Sequence, residues 1–307
     1  MYQPANFAQC HKTKILVDRR AALGDVLMIT PVLRELRRRW PEAFIQVATE
    51  EPDALTNNPH VDQVVHTKDM TLLGWDMYYN LNNAYEYNTA SHYVDSILYR
   101  AFGMSDVGID RSLVKVPTQD ERDAVDDAVE QIGSDYVVVH MRQWAWPNKN
   151  IPPSTWNGLF DRLLADYPNI KIVGVGAKHD FRLAGHPSFV DLCEQLTIGE
   201  IQHLISRARL FVGTDSGPYH IACTTNTPVL LFLNHLFPSH ILHWRGGKFG
   251  KDIAVAQSPL PCVGCYVKQN TPVSQLVCSN PVQYECAGSY DPQVLFNLAK
   301  QLMEKNK

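Results

Sequence analysis

The chain has 307 residues, more than one hydrophobic core usually serves, which predicts two domains of about 150 residues each. Hydrophobic residues make up 45% of it and charged residues 20%, the composition of a globular protein rather than a disordered or fibrous one. The formal net charge of -4 gives no global field that would attract a polyanion, so the composition does not favour a nucleic-acid partner. No stretch reaches about 18 uninterrupted apolar residues, and the first residues do not resemble a signal peptide. We therefore expect a cytoplasmic protein without membrane spans.

The first half of the chain alternates strand and helix patterns. An apolar run at 14–19 is followed by a small-residue loop and by apolar residues at helical spacing over 26–40. Further strand patterns lie at 44–49, 61–67 and 75–81. Such alternation is typical of a parallel sheet covered by helices.

The second half repeats this order. Strand patterns lie at 135–141, 170–176, 210–215 and 227–233, and helical patterns at 154–167 and 198–208. These strands are short and nearly all apolar, as strands buried on both faces must be. A polar helix at 121–133 separates the halves, which places a domain boundary near Gly133. An apolar stripe following Asp291 and Pro292 predicts a terminal helix over 291–307.

The loop after the first strand holds a candidate catalytic residue. In open parallel sheets, ligands bind beyond the carboxyl ends of the strands, so the residues just after each strand are the informative ones. Gly24 allows a tight turn, and Asp25 lies at the mouth of the next helix. This carboxylate could accept a proton from a sugar hydroxyl, or it could simply cap the helix. Taken alone, the loop favours capping.

The loop at 213–220 is a candidate anion-binding loop. It follows a buried strand and opens a helix, where Ser216 and Gly217 leave backbone N–H groups uncovered for a diphosphate. Asp215 could face sugar hydroxyls, and His220 could donate to a phosphate or hydroxyl. The alternative is an ordinary turn with a helix cap and a half-buried histidine. The density of small and functional residues favours binding.

A third loop, at 140–149, supplies cationic and aromatic residues. Arg142 and Lys149 are placed to neutralise a departing diphosphate, although isolated surface cations are usually only solvated charges. Trp144 and Trp146 either stack on a ligand or plug the loop.

Four of the seven cysteines crowd into the segment 262–286. The other three are scattered, at Cys10, Cys193 and Cys223. The crowded ones are spaced C-x2-C-x12-C-x7-C, at Cys262, Cys265, Cys278 and Cys286. This spacing suits a tetrahedral zinc or iron ion, which would brace the loop. Four free thiols are the alternative, because seven residues rather than two separate the last pair.

Together these segments resemble glycosyltransferase family 9, the ADP-heptose heptosyltransferase-like family. LGDVLMITPVLRELRRRWPEAFIQV resembles the family's opening segment, and NNPHVDQVV resembles the segment that follows. Lys149 with NIPPSTWNGLF resembles its lysine-containing stretch. FVGTDSGPYHIACTTNTPVLLFL resembles its most specific motif, after which a cysteine-rich loop also occurs in the family. The resemblance covers about residues 14 to 300.

The resemblance implies an α/β fold of the GT-B architecture, two Rossmann-like domains facing a cleft. Residues 1–133 would form the acceptor-side domain, and 134–290 the nucleotide-sugar-binding domain with the cysteine loop 262–286. The helix at 291–307 would pack back on the first domain. Asp25 would match the family's catalytic base and Lys149 its diphosphate-binding lysine. The donor loop would comprise Thr214, Asp215, Ser216, Gly217 and His220.

One segment departs from the family pattern. Residues 80–88 are rich in Asn and Tyr and lie where an acceptor would enter, so the resemblance does not extend to the acceptor. Gly24, Asn82 and Asn83 are the candidate acceptor-side residues. Basic residues on the acceptor side are limited to positions such as Arg19, Arg20 and the helix at 34–39. We interpret these arginines as a solvated face.

The sequence thus predicts an inverting transfer of a sugar to a hydroxyl of a glycan, protein or other acceptor, and the resemblance implies that the donor is ADP-heptose. Asp25 would be the base, with Lys149 and Arg142 stabilising the leaving diphosphate, so a catalytic metal is not required. Peripheral membrane association and homo-oligomerisation stay open. The competing hypotheses are a same-fold transferase acting on nucleic acid, a nucleotide-sugar epimerase, and a non-enzymatic binding module stabilised by metal.

Overall fold

The computed structural model describes residues 12–86, 90–103, 108–183, 185–269 and 276–305. Two parallel sheets, one from each half of the chain, organise these residues. Within the described ranges, no helix combines the length and apolar character that crossing a membrane requires.

The first sheet has four parallel strands in the order β3-β2-β1-β4. The strands are β1 (Lys14–Asp18), β2 (Phe44–Thr49), β3 (Gln63–His66) and β4 (Met77–Asn80). Its helices are α1 (Leu23–Met28), α2 (Thr30–Arg39) and α3 (Tyr93–Phe102). The apolar stripe of α2 packs on the sheet with Ile15, Val17, Ile45 and Val47. All four strands were predicted: β1, β2 and β3 carry β-branched residues, and β4 carries Met and two Tyr.

The second sheet has six parallel strands in the order β12-β9-β8-β5-β6-β7. They are β5 (Tyr136–Val139), β6 (Lys171–Gly174), β7 (Phe189–Asp191), β8 (Leu210–Thr214), β9 (Val229–Phe232) and β12 (Ile253–Ala256). A small antiparallel hairpin joins β10 (Trp244–Arg245) to β11 (Lys248–Phe249). The helices are α4 (Gln119–Ile132), α5 (Pro153–Asp166), α6 (Ile198–Arg207), α7 (Gly217–Ala222), α8 (Pro238–Ile241), α9 (Cys265–Gln269) and α10 (Pro292–Lys305).

The polar helix α4 connects the two halves and packs on α6 of the second. Its start is fixed by reciprocal bonds between Thr118 and Glu121, a capping box. Glu121 also accepts a hydrogen bond of 2.7 Å from the hydroxyl of Thr197 at the start of α6. Asp126 pairs with His203 and Arg207 further along the same contact. The connecting helix is therefore held by polar contacts, as its composition requires.

The terminal helix α10 packs on α5 and on strands of the second sheet. Its apolar residues Leu295, Ala299 and Met303 belong to the core that contains Trp156 and Leu159 of α5. The prediction that this helix returns to the first domain is wrong, because its apolar stripe covers the face of the second sheet beside α5. The domain boundaries at 133 and 290 stay predictions.

Each sheet reverses its strand order at one point, and these points face each other. In the first sheet, β1 lies between β2 and β4; in the second, β5 lies between β6 and β8. Ligands of such sheets bind in the crevice at the carboxyl ends of the strands where the order reverses. The starts of α1 and α7 meet between the two crevices. The α/β architecture of two Rossmann-like units around a cleft is thereby confirmed.

Candidate functional site

A cavity of about 420 Å³ lies between the two sheets and is lined from both. Most of the site residues predicted from the sequence line it. They are Gly24, Asp25, Arg142, Lys149, Asp215, Ser216, Gly217 and His220. Loops distant in sequence therefore meet at one place, as the two crevices require.

Asp25 both caps α1 and faces the cavity. Its Oδ2 accepts a hydrogen bond of 2.7 Å from the backbone N–H of Ala22 and pairs at 3.0 Å with Nη2 of Arg19. The hydroxyl of Tyr85 donates to the other oxygen, Oδ1. As the third residue of the helix, Asp25 reaches back to the helix start in the usual way. The two roles considered from the sequence are thus compatible in one side chain, which is 21% exposed.

Arg19 is buried beneath this carboxylate, whereas the sequence interpretation placed it on a solvated face. It is 1% exposed, pairs with Glu86 at 2.7 Å and donates to the carbonyl oxygen of Leu81 at 3.0 Å. Burial opposes its charge, but the carboxylates of Asp25 and Glu86 outweigh burial and raise its pKa. One guanidinium therefore serves two carboxylates at the cleft. Its position directly after β1 was the sequence signal that could have identified it.

On the opposite side of the cavity, Asp215 is the centre of an ion-pair network. Lys149 Nζ lies 2.8 Å from its Oδ2, His235 Nε2 lies 3.0 Å from the same oxygen, and His220 Nε2 lies 3.4 Å from Oδ1. Burial would raise the pKa of Asp215, but Lys149 and the two imidazoles outweigh it and hold that pKa well below its usual range. Asp215 is thus a buried anion that orients three basic groups. His235 was not predicted, because nothing around it in the sequence distinguishes it.

A buried histidine supports His220 from behind. Nδ1 of His220 lies 2.8 Å from Nε2 of His243, which is fully buried. Burial holds the pKa of His243 well below its usual value and lowers that of His235 to about 4. His243 on one ring nitrogen and Asp215 beside the other therefore fix the orientation of the His220 imidazole, which faces the cavity.

Ser216 is tied to the loops after β5 and β6. Its hydroxyl lies 2.9 Å from Nδ1 of His140, whose Nε2 lies 3.1 Å from Oδ2 of Asp180. Burial opposes ionisation of Asp180, but the His140 hydrogen bond and nearby N–H groups lower its pKa to about 2. Arg142 is held by Asn150, whose Oδ1 lies 2.8 Å from its Nη1. Side-chain hydrogen bonds of His140 and Arg142 therefore hold the loop at 140–149 in place beside the cavity.

Three predicted residues lie outside this cavity. Thr214 is buried at the end of β8, and its hydroxyl has no hydrogen-bond partner among the described residues. Asn82 and Asn83 line a separate depression of about 490 Å³ that also includes Arg20. Glu86 borders both the depression and the cavity, so the two adjoin at this residue. Asn82 also ties its loop to the loop after β1, accepting from the backbone N–H of Arg20 at 2.9 Å.

The four crowded cysteines line a third cavity, of about 410 Å³. The thiols of Cys262, Cys265, Cys278 and Cys286 are free, and burial with the neighbouring sulfurs raises the pKa of Cys286 to about 11. Within the described ranges, however, no three or more His, Cys, Asp or Glu side chains are arranged to hold a metal ion. Cys193 and Cys223 are buried elsewhere, and Cys10 lies outside the described residues.

The cysteine loop contacts the donor side of the cleft through its backbone. Gly264 N–H donates to the Asn234 carbonyl at 2.7 Å, and Tyr266 N–H donates to the His235 carbonyl at 3.0 Å. The Tyr266 hydroxyl crosses the cleft to the carbonyl oxygen of Glu86 at 3.0 Å. Contacts of this loop therefore reach both halves of the site.

Two facing Rossmann-like units, with a carboxylate on one side and a cationic, histidine-rich loop on the other, define a glycosyltransferase acting on an activated sugar. A sequence model of glycosyltransferase family 9 (heptosyltransferase) matches residues 70–237, more than half of the chain. The chain belongs to this family. This membership identifies an enzyme and excludes the binding-module and epimerase hypotheses.

Individual relatives agree in fold at low identity. The lipopolysaccharide heptosyltransferase 3 of Escherichia coli is 23% identical, with 70% of this chain and 82% of that protein covered. The crystal structure of a family 9 glycosyltransferase from Veillonella parvula superposes with a TM-score of 0.72 at 15% identity, covering 95% of this chain and 98% of that one. The iron-containing dodecameric glycosyltransferase TibC from enterotoxigenic E. coli gives 0.70 at 14% identity, covering 96% and 77%.

Proposed function

We propose that this protein transfers heptose from ADP-heptose to a hydroxyl group of a glycan or protein, with inversion at the anomeric carbon. The observation that carries the proposal is that Asp25 of one half and the Lys149–Asp215–His220 network of the other line the same cavity. The E. coli relative is named a heptosyltransferase, and TibC has been solved in complex with ADP-D-beta-D-heptose, which supports the choice of donor.

The donor would lie mainly on the second half. Lys149 and Arg142 supply positive charge for the diphosphate, and the backbone at Ser216 and Gly217 lies beside them in the cavity lining. Asp215 and His220 would face the sugar hydroxyls. Because Lys149 is paired with Asp215 at 2.8 Å, it is already oriented towards the cavity before a ligand arrives.

Asp25 would remove the proton from the acceptor hydroxyl as its oxygen attacks the anomeric carbon. The new carbon–oxygen bond forms on the face opposite the departing ADP, whose bond to that carbon breaks with both electrons going to the diphosphate. Lys149 and Arg142 would stabilise the negative charge that develops there, so the proposed step does not need a catalytic metal. The proton stays on Asp25 until it is released to water.

The acceptor would enter from the depression that holds Asn82 and Asn83 and adjoins the cavity at Glu86. A cytoplasmic location and peripheral membrane contact stay predictions. So does homo-oligomerisation, for which the dodecameric state of TibC is the supporting comparison.

A thermal-shift series against ADP, UDP, GDP, CDP, dTDP and ADP-heptose tests the donor assignment. A ligand bound only by the folded state stabilises it by about 2.7 kcal/mol at 100 times its dissociation constant. We expect selective shifts with ADP and ADP-heptose. Preference for another nucleotide would exclude ADP-heptose, and no shift with any of them would contradict the donor site.

We also propose that Cys262, Cys265, Cys278 and Cys286 hold a structural zinc or iron ion. Thiolates are suitable ligands for both metals, all four thiols line one cavity, and TibC is described as iron-containing. The geometry of the described thiols is not that of a closed site, so the proposal depends on ligand chemistry and location.

Elemental analysis of the purified protein tests the metal proposal. We expect about one zinc or iron ion per chain, and loss of most of it in Cys262→Ser. Cys193→Ser is the matched control, because Cys193 is a buried thiol that does not line this cavity. Metal-free protein, or equal loss in both variants, would contradict the proposal.

A further inference from the structure

We propose that Trp144, backed by His179, is the stacking platform for the nucleobase of the donor. The inference rests on the proposed function and extends it to the base, for which the sequence analysis assigned no recognising residue. The ligand class is a nucleoside diphosphate with a purine base.

The pair lies on the side of the crevice where the nucleoside would extend. The sugar end of the donor must face Asp25, and the diphosphate must lie by Lys149 and Arg142. In the sheet order β8-β5-β6, the loop carrying Asp215 follows β8, the loop carrying Trp144 follows β5, and the loop carrying His179 follows β6. Two strand spacings, about 10 Å in all, separate β8 from β6, which is the scale of a ribose and base beyond a diphosphate.

The platform is presented to solvent rather than packed in the core. The rings of Trp144 and His179 stack with centroids 4.2 Å apart and planes at 30°. Trp144 is nevertheless 61% exposed, so His179 covers part of the indole and most of its surface stays open. A flat ligand stacked on the open surface of the indole would fit the shape of the ring and its position on the loop after β5.

Hydrogen bonds tie the platform to the residues that would hold the diphosphate. Asn150 Oδ1 accepts both from the Trp144 backbone N–H at 3.2 Å and from Arg142 Nη1 at 2.8 Å. The carbonyl of Trp144 accepts from the Asn150 side chain at 2.7 Å. A phosphate bound to Arg142 and a ring stacked on Trp144 are therefore placed by the same amide.

A second set of bonds fixes the His179 loop. Oδ1 of Asp180, the next residue, accepts from the Gln143 backbone N–H at 3.0 Å. Oδ2 of Asp180 lies 3.1 Å from His140, whose other nitrogen lies 2.9 Å from the Ser216 hydroxyl of the cleft. The loops after β5, β6 and β8 are thus braced together, so the platform is held in place before the ligand arrives and little ordering is needed on binding.

Stacking on an aromatic side chain favours every base but favours the larger purine face most. Removing such a ring weakens binding by about 5- to 150-fold per stacked base. Stacking contributes to the affinity for the base alone. It can therefore be measured separately from the contribution of Lys149 and Arg142 to diphosphate binding.

Calorimetric titration of the whole protein with ADP and with inorganic pyrophosphate tests the inference. We expect Trp144→Ala to weaken ADP binding at least about fivefold and to leave pyrophosphate binding unchanged, while Trp144→Phe keeps most of the ADP affinity. Tyr99→Ala is the control, because Tyr99 is an aromatic residue of similar exposure, 63%, that lies on α3 in the first half of the chain. It should change neither titration.

Three results would overturn the inference, and they are distinguishable. Equal ADP affinity in wild type and Trp144→Ala would show that the base does not stack on Trp144, and it would leave the proposed function intact. Equal loss of ADP and pyrophosphate shows that the substitution disturbs the diphosphate site and refutes stacking. Failure of the wild type to bind ADP overturns the proposed donor site and this inference with it.

Discussion

Replacing Asp25 with Asn removes the proposed base and preserves the shape of the side chain. In the wild type, the Ala22 backbone N–H donates to the Asp25 carboxylate at 2.7 Å, and the amide oxygen of the Asp25→Asn variant can still accept this hydrogen bond. The Tyr85 hydroxyl, which donates to Asp25, can turn and accept from the new amide group instead. The variant should therefore fold and bind the donor.

The structure limits the cost in stability. Arg19 loses its 3.0 Å partner at position 25 but keeps Glu86 at 2.7 Å, so its buried charge is not left alone. We expect a loss of about 1–3 kcal/mol in unfolding free energy, less than the 3–5 kcal/mol typical of an orphaned buried charge. The chemical step should suffer more, by about 10²- to 10⁴-fold in kcat, the usual contribution of a general base.

The assay is release of ADP from ADP-heptose, with water as the acceptor, beside calorimetric ADP binding. Glu86→Gln is the informative comparison, since it removes the other ion pair of Arg19 and leaves Asp25 in place. A large fall in kcat for Asp25→Asn with near-normal ADP affinity, and a smaller fall for Glu86→Gln, is the expected pattern. A kcat for Asp25→Asn within about threefold of wild type would refute the assignment of the base.

Two further outcomes are expected. Gly24→Ala should lower donor affinity and cost about 1–3 kcal/mol of unfolding free energy, because a Cβ there overlaps the His220 ring. Gly108→Ala is the control, because no described atom lies within 4 Å of a Cβ at that position. It should change neither the donor affinity in titrations nor the melting temperature. Burial lowers the pKa of His92 and His235 to about 4 in the folded state, against 6.5 unfolded, so the unfolded chain binds more protons between these values. Stability should therefore fall by about 1.4 kcal/mol per pH unit for each ring as pH drops from 6.5 towards 4, and a melting temperature that is flat or rising over pH 6.5 to 5 would contradict this.

The central strands of the second sheet could be predicted, whereas its edge strands β7 and β12 and the hairpin strands β10 and β11 could not. Strands such as β5 and β8 are buried on both faces and therefore read as unbroken apolar runs. The strands β7 and β12 are short edge strands with mixed exposure, and their pairing depends on neighbours far away in the sequence. The destination of α10 was missed for the same reason: its apolar stripe is visible in the sequence, but the surface that it covers is not.

The candidate site divides in a similar way. Asp25 and the loop around Asp215 directly follow strands, and the general rule for parallel sheets was enough to select them. Arg19 resembles an ordinary surface arginine until the fold buries it between two carboxylates. His235 lies 20 residues from the carboxylate that it contacts, so only the folded chain reveals the pair.

The meeting of α1 and α7 also bears on how the enzyme exchanges its substrates. His220 of α7 packs against Gly24 of α1, and Leu23 of α1 packs against Gly217 of α7, where a Cβ would lie 2.7 Å from the Leu23 side chain. Each helix therefore packs a side chain against a glycine at the start of the other. Two bodies in such contact can turn about it more easily than they can slide or part. A turn of this kind widens the far rim of the cleft while the residues beside the pivot, Asp25 among them, move little. Substrate entry and product release would then be governed by motion at the rim, with the reacting groups kept in register from one turnover to the next.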